Sequence, residues 1–246
     1  METLSVANTG FALDLFKHEC KTQTNTNILF SPWSISTTLA TVYLGAKGNT
    51  ADQMANLENS SNIHAGFQTL SSEINQPTKN YLLKSVNQLY GEKSSLFNKE
   101  YLQSIKKYYH TEPRAVDFMG AAEEVRREIN SSVEHQTEGK IQALLPVNSV
   151  DSLTKLVLVN ALYFKGNWAK KFKDGLTKEQ PFRMNKPVQM MFQREKFNWT
   201  YIKTVHTHII ELPYVNNDLS MLILLPDDIS DDTTGLCCYY TTNIQH

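Results

Sequence analysis

Leu153-Thr154-Lys155-Leu156-Val157-Leu158-Val159-Asn160-Ala161-Leu162-Tyr163-Phe164-Lys165-Gly166-Asn167-Trp168 is the stretch whose reading decides the fold. From Leu156 to Phe164 it is apolar and rich in β-branched and aromatic residues, and it stops at Lys165-Gly166-Asn167. A continuous run of that length, closed by a turn signal, predicts a strand covered on both faces and central to a large sheet; periodicity alone leaves a buried helix open. Asn160 interrupts the run. A carboxamide buried without partners costs about 1–3 kcal/mol, so Asn160 is expected either in a polar network at the sheet's centre or at a strand kink.

Outward from this run, the two halves of the chain differ. On the N-terminal side, Ala7, Phe11 and Leu15 mark an amphipathic opening helix. Asn27-Ile28-Leu29-Phe30 predicts a short strand, followed by a helix capped by Ser31, opened by Pro32 and buried through Ile35, Leu39 and Val42/Tyr43 up to Gly45. Thr50-Ala51-Asp52-Gln53 has capping-box spacing. A helix over Ile63, Phe67, Leu70 and Ile74 stops at Pro77, and Tyr81 to Tyr90 alternates as a strand. Phe97, Tyr101, Ile105 and Tyr108 give a helix and Ala115-Val116-Asp117-Phe118 a short strand. Val125, Ile129 and Val133 give another helix, with Glu123, Arg126, Arg127 and Glu134 on its polar face and Gly139 as C-cap. After the central run the pattern is all strand: Pro181 to Met184, Val188 to Gln193, Phe197 to Tyr201, Ile209 to Tyr214 and Leu219 to Leu225. Helices in the first half and strands in the second predict an α+β architecture.

With 246 residues, 41% hydrophobic and 20% charged, and a net charge of −1, the chain fits one large soluble domain or two small ones. The charge balance gives no reason to expect nucleic acid or an anionic membrane surface as partner. Lys106-Lys107-Tyr108-Tyr109-His110 reads as a solvated helix end. The N-terminus lacks a basic region ahead of its apolar residues, and Asp14 breaks them, so a cleaved secretory signal is not expected. Cys20, Cys237 and Cys238 are too few for a disulfide framework and favour a reducing compartment. The sequons at Asn59, Asn130 and Asn198 are then chance matches.

The chemistry of an enzyme does not assemble. Gly45-Ala46-Lys47-Gly48-Asn49-Thr50 lacks phosphate-loop spacing and reads as a helix-to-helix turn. His206-Thr207-His208 offers two imidazoles without a third ligand, and reads as an exposed edge strand. Cys237-Cys238 lacks CxxC spacing, and there is no GxSxG elbow. No catalytic residue, metal ligand or cofactor-binding residue is expected.

Taken together, Asn27 to Ser36, Tyr43 to Thr50, Thr137-Glu138-Gly139-Lys140-Ile141, Val159 to Trp168, Pro187 to Met191 and Leu219 to Pro226 resemble, in order and spacing, the serpin family. The Met-Glu start without a signal is similar to its ovalbumin-like (clade B), intracellular branch. The resemblance implies the serpin fold: a helix-rich N-terminal half and a large sheet A with sheets B and C. It places Asn27, Ser31, Ser34 and Asn160 in the shutter, the polar cluster beneath sheet A that controls whether its central strands part, and Trp168 at the breach, where a reactive loop first enters. Full-length inhibitors of the family present that loop as bait to a serine protease, trypsin-like or chymotrypsin-like. After cleavage it becomes an extra strand of sheet A and distorts the acylated protease. A cytoplasmic location, with signal-independent release to the extracellular space, would follow from the branch.

The likeness holds through Leu236. Residues 1–236 are expected to be the N-terminal portion of a single serpin domain, and Cys237 to His246 a divergent, unstructured tail. The reactive loop with its scissile bond, and the strands the family carries after it, have no counterpart here, so the fold is expected to be incomplete at the C-terminus. The stretch from Met54 to Asn62 is also far shorter than the interhelical loop of one branch member. Two functions of different class follow: an inhibitor by descent that needs the remaining part, or a non-inhibitory isoform or interaction module. In both, open apolar edges such as Val157 to Phe164 and Met221 to Leu225 invite self-association.

Overall fold

The computed structural model describes residues 2–22, 27–55, 63–76, 78–95, 97–181 and 187–227. The tail, the Asn59 sequon, Pro77 and most of the 181–184 strand expectation lie outside them. The chain folds as two compact units, one of residues 1–77 and 83–164 and a second of residues 78–82 and 165–246.

In the first unit, α1 (Glu2–Thr22) and α2 (Pro32–Gly45) pack together, α2 packs on α5 (Lys99–Tyr109), and α5 on α4 (Ile63–Ile74). The short α3 (Asn49–Met54) begins one residue before the expected capping box, after Gly48 at φ +56°, with no side chain capping it. The α2 start matches expectation: Ser31 Oγ accepts the Ser34 N–H at 3.3 Å, and Pro32 opens the first turn. Its buried face does not. Ser34, Ser36, Thr37 and Ala40 are buried while Leu39 is 40% exposed, because small side chains let α2 approach its neighbours closely. Asn27 to Ser31 forms no ladder, and Leu29 is 98% exposed.

The sheet of this unit has the order β2-β1-β3, from β1 (Tyr81–Glu92), β2 (Arg114–Val116) and β3 (Leu156–Gly166). β1 and β2 run parallel, with Tyr90 opposite Arg114. Beyond β2, Asp117 caps α6 (Phe118–Gln136) by accepting the Gly120 N–H, so Phe118 opens a helix instead of closing a strand. The core lies between α6 and the sheet, where Val86, Tyr90, Phe118, Ile129, Val133 and Val159 meet. Burying an aliphatic or aromatic side chain of this size gains about 1.5–3 kcal/mol. Arg126 belongs to this buried side too. It is 9% exposed and donates to Leu145 O and to the Glu123 carboxylate. At the other end of α6, Thr137 is the C-cap residue, and Gly139, at φ +75°, donates its N–H to Glu134 O.

β3 corrects the opening expectation twice: among the described residues it ends the sheet instead of centring it, and only one of its faces is well covered. Val159 and Ala161 are buried, whereas Leu156, Leu158 and Leu162, on the alternate face, are 37–43% exposed. Its sequence is apolar on both sides, but α6 covers only one of them.

In the second unit, β4 (Lys178–Pro181) and β5 (Pro187–Met190) form an antiparallel ribbon. β6 (Trp199–Ile202), β7 (Thr207–Pro213) and β8 (Ser220–Pro226) form an antiparallel sheet in that order. β7 is the middle strand. His206 precedes it in the left-handed region at φ 45° and His208 lies within it, so the two histidines do not mark an edge strand. Cys20 is buried at the end of α1.

Candidate functional site

The residues expected at the shutter are best sought where α2 and α5 meet the face of the sheet turned away from α6. Hydroxyls line this face of α2, yet most are spent on the helix itself: Thr37 donates to Trp33 O at 2.7 Å, Thr38 to Ser34 O at 2.9 Å and Thr41 to Thr38 O at 2.6 Å. Thr37, Thr41, Leu89, Asn87, Leu158 and Tyr109 help to enclose a cavity of about 30 Å³, room for roughly one water.

Asn160 lies on this face, half-buried, and its Nδ2 donates to Asn87 Oδ1 on the neighbouring β1. Asn87 in turn donates through Nδ2 to Ser85 Oγ at 3.2 Å, and its carbonyl accepts the Thr111 hydroxyl at 3.1 Å. The mid-strand amide therefore belongs to a small polar network, and the kink reading is not needed. Asn87 did not stand out in the sequence, because Lys84, Ser85 and Gln88 share its strand, and only the fold brings it to Asn160.

The other residues expected at the shutter are not joined to it. Ser31 and Ser34 meet each other through the α2 cap, and Asn27 is exposed. No hydrogen bond links Asn160 to any of the three among the described residues. Ser34 is 1% exposed, and its Oγ has no hydrogen-bond partner there. Trp168, in the second unit, stacks on Tyr214 with ring centroids 4.6 Å apart and meets Phe172 edge-on. Backbone bonds on either side, Ala169 N–H to Pro213 O and Val215 N–H to Asn167 O, pin this segment to the end of β7.

The strongest electrostatic feature was missed by sequence reasoning. Glu92, 1% exposed at the end of β1, accepts the backbone N–H groups of Ser94 and Met119, each at 3.1 Å. Burial pushes its carboxyl up, but these donors, one in the turn after β1 and one at the α6 N-terminus, outweigh it and hold the group below the usual carboxylate range. Beside it, Lys93 and Asp117 pair at 2.6 Å, and this bond lowers Asp117 and raises Lys93. A glutamate after Gly91 at the end of a strand gave no sequence signal of burial.

Among the described residues no cluster of three His, Cys, Asp or Glu side chains is placed to hold a metal, and no helix is long and apolar enough to cross a membrane. Asp227 approaches His208 Nε2 at 3.3 Å and accepts the Tyr201 hydroxyl at 2.6 Å, a surface cluster. Gly45 to Thr50 is a helix-to-helix turn.

The class defined by this geometry is an α+β fold of helices on a sheet whose apolar last strand carries an amide at its midpoint, followed by smaller antiparallel sheets. A family profile described as Serpin (serine protease inhibitor) matches residues 6–236, and the chain belongs to that family. Over 96% of its length it is 47% identical to human plasminogen activator inhibitor 2, of which it covers 67%, and 50% identical to the leukocyte elastase inhibitor of Xenopus tropicalis, of which it covers 65%. Emu ovalbumin superposes with a TM-score of 0.90 at 41% identity, covering 97% of this chain and 66% of the other. A tumour-suppressing serpin gives 0.92 at 41% identity, covering 99% and 69%. The fold is thus the serpin fold of the ovalbumin-like branch, and the chain spans about two thirds of the length of the curated relatives it matches.

Proposed function

We propose that these 246 residues carry the sheet-bearing part of a serpin-type inhibitor of serine proteases and that, alone, they do not inhibit. The observation that supports this is the state of β3: an apolar strand with an internal amide hydrogen bond, ending its sheet with one face open. Inhibition by strand insertion needs a bait segment and two strands to part, and β3 offers one side of such a gap. In this reading Asn160, with Asn87, holds the sheet shut, Ser31, Ser34 and Asn27 belong to the same shutter, and Trp168 marks the breach. Residues 1–236 form part of one serpin domain and 237–246 a tail. The chain performs no catalytic step of its own.

The partners are trypsin-like or chymotrypsin-like proteases once the remaining part of the fold is supplied, and copies of the chain itself through its open edges until then. The setting is cytoplasmic, with release that needs no signal. Incubation of the chain with trypsin and with chymotrypsin, followed by denaturing electrophoresis, tests the first claim. Only free protease and cleaved chain are expected, and a covalent band at the summed mass overturns it.

A further inference from the structure

His64, at the start of α4, is enclosed by aromatic rings from two other helices and takes no part in the strand machinery. Its Nδ1 lies 2.6 Å from the hydroxyl of Tyr109, the last residue of α5, which is 9% exposed. The Tyr43 ring of α2 stacks on the imidazole at 5.8 Å, Tyr108 lies tilted at 5.9 Å and Tyr109 meets it edge-on at 5.9 Å. Behind this group, Phe67 and Trp33 extend the aromatic contact to the buried side of α2. α1 meets α4 through Leu4, which lies against Gly66.

The titratable groups facing His64 are therefore the phenols of Tyr43, Tyr108 and Tyr109, and the Lys107 ammonium lies 4.8 Å from the centre of the Tyr108 ring. Among the described residues no carboxylate is bonded to the imidazole. Tyr109 keeps its proton, since burial raises its pKa well above the usual phenol range. In the tautomer protonated at Nε2 the Tyr109 hydroxyl donates to Nδ1, and only a neutral imidazole accepts there.

We propose that His64 is a proton-operated pin that docks the first turn of α4 against α2 and α5 when neutral and releases it when protonated. Protonation turns Nδ1 into a donor, leaves the buried Tyr109 hydrogen without its acceptor, and places a cation among the rings. The ring faces partly offset that cost. Burial still holds the imidazole below its ordinary value. The sign follows: with the docked-state pKa depressed, docking is fully stable above the free value, about 6.5, and weakens as pH falls below it.

Amide hydrogen exchange of the full chain, corrected for the intrinsic pH dependence, reads this directly. Exchange of the α4 amides from Phe67 onward, the first with acceptors inside the helix, is expected to accelerate up to about tenfold between pH 7.5 and 5.5, while the α6 amides stay unchanged. His64→Phe, neutral throughout, is expected to be flat. In the unaltered chain, the NMR titration midpoint of the His64 ring must lie below the free value, at the acid end of the exchange transition, and Tyr109→Phe must shift that midpoint upward. Imidazole titration without faster α4 exchange, or an equal transition in His64→Phe, overturns the proposal.

Discussion

α6 and β8 are both strongly patterned segments, and the chain treats them in opposite ways. Ile129 and Val133 on α6 are completely buried against Tyr90, Phe118 and Val159, and the helix is fastened at both ends by caps and at its middle by Arg126 and Asn130. β8 pairs with β7 along its whole length, yet Met221, Leu222, Ile223 and Leu225 are 39–61% exposed, on both faces of the strand. Backbone pairing alone thus leaves an apolar strand uncovered, and side-chain burial is what distinguishes the stable half of this molecule.

The largest effect should come where burial is complete. Ile129→Ala removes a side chain with no exposed surface at the centre of the α6 core and is expected to cost about 2–5 kcal/mol. Urea unfolding followed by far-UV circular dichroism would show an earlier midpoint with the same slope. A loss below about 1 kcal/mol would break the contrast with β8.

The fastening of α6 comes next. Asn130 reads Leu145 in both directions, accepting its N–H at 2.7 Å and donating to its carbonyl at 2.9 Å. Asn130→Ala leaves the partly buried Leu145 N–H without this acceptor, for about 1–3 kcal/mol. The same two bonds engage the amide that an attached glycan would need, in keeping with the reading of this sequon as a chance match. Glu92 adds a pH dependence. Because its folded-state carboxyl is held below the free value near 4.5, the stability it contributes is present above that value and drains away as pH falls through the depressed one. A melting series from pH 7 to pH 3 should fall more steeply for the unaltered chain than for Glu92→Gln.

What the sequence made legible follows the same division. The amphipathic helices were readable because a 3.6-residue apolar period survives wherever one side of a helix is covered: Ile63 to Ile74 is a helix, and Val125, Ile129 and Val133 are buried as their spacing requires. The run from Leu156 was readable as a strand but not as one face-covered strand at a sheet's end, since hydrophobicity records what a strand is built to meet, not what the described residues supply. Arg126 misled for a related reason: a long stem lets an arginine reach a carbonyl from within a packed face. Of the site, Asn160 announced itself, whereas Asn87 and Glu92 depend on strand neighbours and a helix start brought together only by folding.

Ser34 and the paired amides offer effects of opposite sign near 1 kcal/mol. Asn160→Ala takes away the donor to Asn87 Oδ1, and a destabilisation of about 1 kcal/mol is expected. Ser34→Ala removes a buried hydroxyl without a partner among the described residues, so it should be neutral or raise stability by up to about 1 kcal/mol. Equal losses in both, measured by thermal melting, would show that Ser34 finds a partner that the described residues do not supply.

The smallest effect on stability should come from β8, and there the argument turns on a different measurement. Leu222 is 61% exposed, so Leu222→Lys removes little buried surface and should shift stability by less than about 0.5 kcal/mol. A lysine on a terminal strand nevertheless opposes edge-to-edge pairing, because joining two copies would bring like charges together and bury their ammonium groups. Light scattering across a concentration series should therefore show the substituted chain remaining monomeric at concentrations where the unaltered chain associates. If both associate alike, the open face of β8 is not the surface through which copies meet, and the exposed face of β3, with Leu156, Leu158 and Leu162, becomes the next strand to charge.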